Sequence, residues 1–180
     1  MFDQLVCRIQ FKRLNYDGIY TPPSENGTLV FPGNLGVFEW GGISVNPDRQ
    51  VAVMNPIGLP FVSRLIPEDP SRAETAKGAG TEQGVQPMYG VPYGVEISAF
   101  LSPIGLPCKQ PAWGYVAGVD LNTHQVVWKK RIGTIRDSLP NLFQLPAVKI
   151  GVPGLGGSIS TAGNVMFVGA TQDNYLRAFN

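Results

Sequence analysis

The segment Gly114–Arg131, GYVAGVDLNTHQVVWKKR, constrains the fold more than any other part of this chain. Tyr115, Ala117 and Val119 alternate with Val116 and Gly118, the period of a strand with two different faces. Asp120, Asn122 and Thr123 supply turn chemistry, and Val126, Val127 and Trp128 resume an extended apolar run. A hairpin is predicted in which Asp120 caps turn amides and Trp128 is an indole free to dock on a neighbouring sheet. Hairpins of this kind build the radially arranged four-stranded sheets, or blades, of a β-propeller.

A second signal comes from comparing the chain with itself. WGGISVNPDRQVAVMN, from Trp40, and LGGSISTAGNVMFVGA, from Leu155, share a Gly-Gly opening, a short strand, a turn and an apolar strand. Their openings, Gly41 and Gly156, stand 115 residues apart, close to three blades of about forty residues each. Each glycine pair suits close backbone approach at the start of a crowded inner strand. The turns are explicit: Asn46-Pro47-Asp48-Arg49 fits a type I turn, and Ala162-Gly163-Asn164 and Gln172-Asp173-Asn174 supply residues that tolerate positive φ. Residues 5–12, LVCRIQFK, alternate with period two and are predicted to form a half-buried strand; Thr28–Pro32 reads as another. The polar, Gly-rich stretch near 67–84 is expected to be a mobile loop with at most a helical turn at Ser71–Lys77, and further long loops are expected over 87–110 and 137–157.

Composition agrees with an all-β chain. Its 22 Gly and 16 Pro favour tight turns over long helices. A net charge of +1, with no basic run longer than Lys129-Lys130-Arg131, gives no electrostatic case for a nucleic-acid partner. No apolar run reaches the roughly eighteen residues of a membrane span. The single histidine, His124, falls in the hairpin turn, so no histidine-activated nucleophile and no His-rich metal centre is built from this chain. Nucleophile-elbow, phosphate-loop and dinucleotide glycine patterns are also missing. Cys7 and Cys108 can form a disulfide or remain two thiols, and no CxxC spacing marks a redox dithiol.

Four long words carry a resemblance: TPPSENGTLVFPGNLGVFEWGGISVNP (21–47), LSPIGLPCKQPAWGYVAGVDL (101–121), VVWKKRIGT (126–134) and GGSISTAGNVMFVGATQDNYLRAFN (156–180). Across nearly its whole length the chain resembles quinoprotein dehydrogenases of the membrane-bound glucose dehydrogenase type, which use pyrroloquinoline quinone. The resemblance implies that residues 1–180 form one partial propeller, several four-stranded blades of an eight-bladed ring. It implies oxidation of glucose or a related sugar, with electrons passed to ubiquinone. A divalent cation, calcium or magnesium, would accompany the quinone and be held mainly by residues outside this chain. The family's catalytic Asp, its metal ligands and its quinone-contacting basic residue belong to earlier blades, so the chain alone is expected to be catalytically silent. The resemblance further implies the periplasmic face of the inner membrane, with anchoring by a separate N-terminal segment that this sequence does not show. The alternative is a non-catalytic propeller module that scaffolds an envelope complex; words such as GLPCKQPAWGY, which exceed any repeat consensus, favour the enzyme lineage.

Four residues are candidates for the quinone. Asn34 and Asn55 compete as the amide that meets a carboxylate or carbonyl of the cofactor, Asn34 because Gly33 and Gly36 let the backbone approach. Asp173, before the last strand, matches a position toward the cofactor-bearing end of the ring. Trp40 offers an aromatic surface. The bland readings are a satisfied loop amide, a turn carboxylate and a packing indole.

Overall fold

The computed structural model describes residues 2–67, 84–136, 148–169 and 171–180. In chain order these form α1 (Phe2–Phe11), β1 (Thr28–Val30), β2 (Ser44–Asn46), β3 (Val51–Met54), β4 (Phe61–Pro67), β5 (Gly84–Pro87), β6 (Tyr93–Ala99), β7 (Tyr115–Asp120), β8 (Gln125–Arg131), β9 (Ser158–Ser160), β10 (Met166–Val168) and β11 (Arg177–Phe179). The interior of the loop expected near 67–84, with its helical turn at Ser71–Lys77, lies outside the described residues, as do residues 137–147 of the third loop. The chain is otherwise all-β and antiparallel, in sheets ordered β1-β4-β6-β5, β2-β3-β7-β8 and β11-β10-β9. It divides into two compact units, one of residues 1–35 and 59–109, the other of 36–58 and 110–180.

The second unit holds the sheets that the sequence pointed to. β2, β3, β7 and β8 follow one another across a four-stranded antiparallel sheet, the up-and-down order of a propeller blade. Between β3 and β7 the chain leaves this unit for residues 59–109, so the blade is interrupted in sequence but not in space. The hairpin β7–β8 forms as expected: Asp120 Oδ1 accepts from the amides of Asn122 and Thr123 at 2.8 and 2.9 Å, and the exposed His124 takes a φ of 58° in the turn. The pairing shifts by one residue between Gly118 and Val119, a bulge that places Trp128 opposite Gly118. The indole covers that glycine so closely that a Cβ there would fall 2.3 Å from Nε1. Trp128 also packs on the core between this sheet and the β9–β11 sheet, in which Val53, Val116 and Ile132 meet Met166 and Val168. The indole expected to dock therefore packs on the core that this sheet shares with the adjacent one.

The two Gly-Gly openings meet at the same seam. A Cβ on Gly41 would lie 2.3 Å from the Gly157 nitrogen, and one on Gly157 would lie 2.3 Å from the Gly41 carbonyl oxygen. Just beyond, Ser44 Oγ shares hydrogen bonds with Ser158 and Ser160 Oγ, both at 2.9 Å. The sequence repeat thus brings β2 and β9 side by side, and glycine is what lets their backbones touch.

In the first unit, β4 turns Phe61 and Ser63 inward, fully or nearly buried, and Val62 and Arg64 the other way. Residues 5–12 correct the sequence expectation: most of them belong to helix α1, not to a strand. Over eight residues a period of two and a period of 3.6 share many positions, and Leu5 and Ile9 satisfy both. Asp3 in the first turn and Arg8 in the last favour the helix through its dipole. Cys7 and Cys108, whose pairing the sequence left open, are joined in a disulfide with their Cα atoms 5.4 Å apart.

Candidate functional site

Asp173 occupies the tight turn between β10 and β11, and its side chain is completely buried. Four donors converge on it. Oδ1 accepts from Thr171 Oγ1 at 2.6 Å and from Arg177 Nη1 at 2.9 Å, while Oδ2 accepts from the Thr134 amide at 2.9 Å and from Arg177 Nη2. Burial, the largest influence, pushes this carboxyl up; the bonds from Arg177, Thr171 and Thr134, with the Arg177 charge, outweigh it and hold the group at about 2. Asp173 is therefore ionised at neutral pH and has its lone pairs engaged, which suits a group that positions neighbours. Asn174 beside it adopts a φ of 59°, the αL geometry expected of this turn.

Asn55 follows β3 and is also buried. Its Nδ2 donates to the carbonyls of Gly154 at 2.9 Å and Gly156 at 2.8 Å, which fixes the amide plane. Nothing among the described residues donates to its Oδ1. Gly154 in turn pairs with Thr171, the residue bonded to Asp173. Gly156 precedes Gly157, against which Gly41 packs, and Gly41 follows Trp40. Asn55 and Asp173 are therefore linked through Gly154 and Thr171, and Trp40 adjoins in sequence the glycine that packs on Gly157. Trp40 leaves 89% of its surface open. Asn34 is exposed and belongs to the other unit.

Sequence reasoning missed the partners more than the candidates. Thr134, Thr171 and the carbonyls of Gly154 and Gly156 have no signature, since they act through main chain or one hydroxyl. Arg177 could have been found: it stands four residues after Asp173, at the start of the strand that follows the turn, where a cation can fold back on a carboxylate. Among the described residues no group of three or more His, Cys, Asp or Glu gathers into a metal site.

Residues 1–180 match the protein family described as "PQQ: Glucose/ethanol/alcohol dehydrogenase, beta-propeller domain". The chain belongs to that family. It is 94% identical over 180 residues to quinoprotein glucose dehydrogenase A of Acinetobacter calcoaceticus, and 64% identical over 185 residues to quinoprotein glucose dehydrogenase of Escherichia coli K12. A more distant relative is the probable quinate dehydrogenase (quinone) of Xanthomonas campestris pv. juglandis, 42% identical over 183 residues. The first two comparisons cover the whole of this chain and the third 99% of it, but only 22–23% of the relatives' own lengths. The open sheets described above are thus sectors of a propeller, and the partial-propeller expectation holds.

Proposed function

We propose that this chain contributes blades to a pyrroloquinoline quinone-dependent dehydrogenase that oxidises glucose or a related sugar and passes the electrons to ubiquinone. The observation that carries the reading is the Asn55 amide: buried, oriented by two main-chain carbonyls, with no donor to its Oδ1 among the described residues, in the same unit as the exposed indole of Trp40. These groups fit a flat heteroaromatic cofactor. An indole offers a stacking surface and Oδ1 can accept from a ring N–H. When bound, the quinone takes up the two electrons and two protons that leave the C1–H and C1 hydroxyl of the sugar.

This chain's own residues would hold and orient. Trp40 lies against the ring plane and Asn55 fixes its rotation. Asp173, through Thr171 and Thr134, keeps the segments around it in place. Asn34 retains the role read for it from sequence, an amide contact to the quinone, on the strength of its exposed side chain between Gly33 and Gly36. The proton-abstracting group and the calcium or magnesium ligands are proposed to lie in other parts of the ring, so the 180 residues alone bind or position but do not turn over. The proposed location is the periplasmic face of the inner membrane. No described helix is long and apolar enough to cross a membrane.

A chimera tests this. The matching segment of the Escherichia coli relative is replaced by this chain, and glucose-dependent reduction of an artificial acceptor is measured with added quinone and calcium. Activity is expected, and Asn55→Ala should raise the quinone concentration needed by about tenfold or more. A folded chimera that binds quinone yet leaves glucose untouched would refute the substrate reading. Unchanged quinone affinity in Asn55→Ala would remove Asn55 from the site.

A further inference from the structure

In the first unit, helix α1 and the sheet meet without a shared apolar core. α1 has no buried residue. The face of β4 and β6 toward it presents Val62 opposite Ser98 and Arg64 opposite Glu96. From the helical side come Gln10, Arg13 and Leu14, spaced i, i+3, i+4 so that they share one side of the helix and the turn after it. Together with these strand residues they line a cavity of about 390 Å³, inside the ~300–1,000 Å³ range of small-molecule pockets. The Cys7–Cys108 disulfide, one turn before Gln10, fastens α1 to the segment after β6. The disulfide ties the helix over a mixed surface, in which Val62, Phe100 and Leu101 stand beside Arg64, Glu96 and Ser98, and the space between stays open.

The charges in this cavity are unequal. Arg64 Nη1 lies 3.7 Å from Glu96 Oε2, so these two answer each other. Arg13 makes no ion pair among the described residues. Two guanidiniums against one carboxylate leave one positive charge in excess, beside the Ser98 hydroxyl and the Asn26 amide. A guanidinium fork matches a planar carboxylate. Glu96 can accept from a ligand hydroxyl, and Arg64, Asn26 and Ser98 can donate to one.

We propose that this cavity binds a small polyhydroxylated carboxylate, the aldonate class formed when the C1 hydroxyl of an aldose is oxidised to a lactone and the lactone adds water. Naming the acid product as the biological ligand rests on the sugar oxidation proposed above; the recognition chemistry does not. The site would make this part of the chain responsive to the product.

The test is calorimetric titration of the 180-residue chain, disulfide intact and quinone absent, with gluconate, glucose or acetate. Gluconate should bind about tenfold or more tighter than either of the others, since glucose lacks the carboxylate and acetate the hydroxyls. Arg13→Gln and Glu96→Gln should each weaken gluconate by a similar factor. Ser98→Leu, which fills the cavity without touching a charge, should abolish binding, and Lys130→Gln on β8 should change nothing. No saturable gluconate heat, equal affinity for the three ligands, or full affinity in Arg13→Gln would overturn the proposal. An active chimera with no gluconate binding sinks this proposal alone; gluconate binding with an inactive chimera sinks the sugar-oxidation reading alone.

Discussion

Replacing Arg177 with Met isolates what the buried pair contributes. The Asp173 side chain is fully buried and its carboxyl is lowered from 3.8 to about 2. At ~1.4 kcal/mol for each pH unit, that difference corresponds to about 2 kcal/mol of stability. The sign follows from the direction: the folded state holds its proton less tightly than the unfolded state. The contribution is therefore complete above the unfolded value and is lost as pH falls from about 5 to about 2. Removing Arg177 leaves a buried carboxylate served only by the Thr134 amide and the Thr171 hydroxyl. Stripping one partner from a buried ion pair costs about 3–5 kcal/mol. Burial then prevails and the carboxyl is pushed up, so acid now relieves the strain by neutralising it. Urea denaturation followed by circular dichroism at pH 7, 5 and 3 reads both effects. The parent should lose stability toward pH 3, whereas Arg177→Met should start lower and lose less, or gain. Parallel pH curves, or a difference below about 1 kcal/mol at pH 7, would show that Arg177 does not hold Asp173 ionised.

Gly41→Ala forces a methyl group onto the Gly157 backbone, and a loss of about 1–3 kcal/mol in urea stability is expected. Gly118→Ala should displace the Trp128 indole, seen as a red shift of tryptophan emission at similar thermodynamic cost; unchanged emission would count against the docking contact. The double change Cys7→Ser with Cys108→Ser opens a loop of 101 residues, for which the chain-entropy account gives about 4–5 kcal/mol. Reductant should reproduce that loss in the parent and do nothing further to the double variant.

Much of the second unit was legible because its signals are local. The period-two run of β7, the apolar run of β3, the Asp120 turn and the Gly-Gly repeat each depend on neighbours a few residues apart. α1 was not legible, because residues 5–12, most of which it contains, fit both periods and nothing within them reveals that a disulfide to residue 108 holds the segment in place. The four-stranded sheet of the first unit was not drawn either. Its strands are brought together by an excursion out of the middle of a blade, and no short-range pattern announces a chain that leaves one sheet to build another.

The candidate site shows the same division. Asn55 and Asp173 were visible as residues, but what distinguishes them is supplied from far away: the carbonyls of Gly154 and Gly156 on one, the Thr134 amide on the other. Those carbonyls belong to the segment that delivers β9 to the seam, where Gly157 touches Gly41 and the serine trio of Ser44, Ser158 and Ser160 closes. The orientation of the Asn55 amide and the contact between adjacent blades are therefore set by one stretch of backbone. If Asn55 faces the quinone as proposed, widening the seam by Gly41→Ala must rotate or release that amide, although residue 41 itself has no side chain to offer a ligand. Loss of quinone affinity in Gly41→Ala should then accompany its loss of stability, and restoring stability elsewhere in the chain should leave the affinity defect in place.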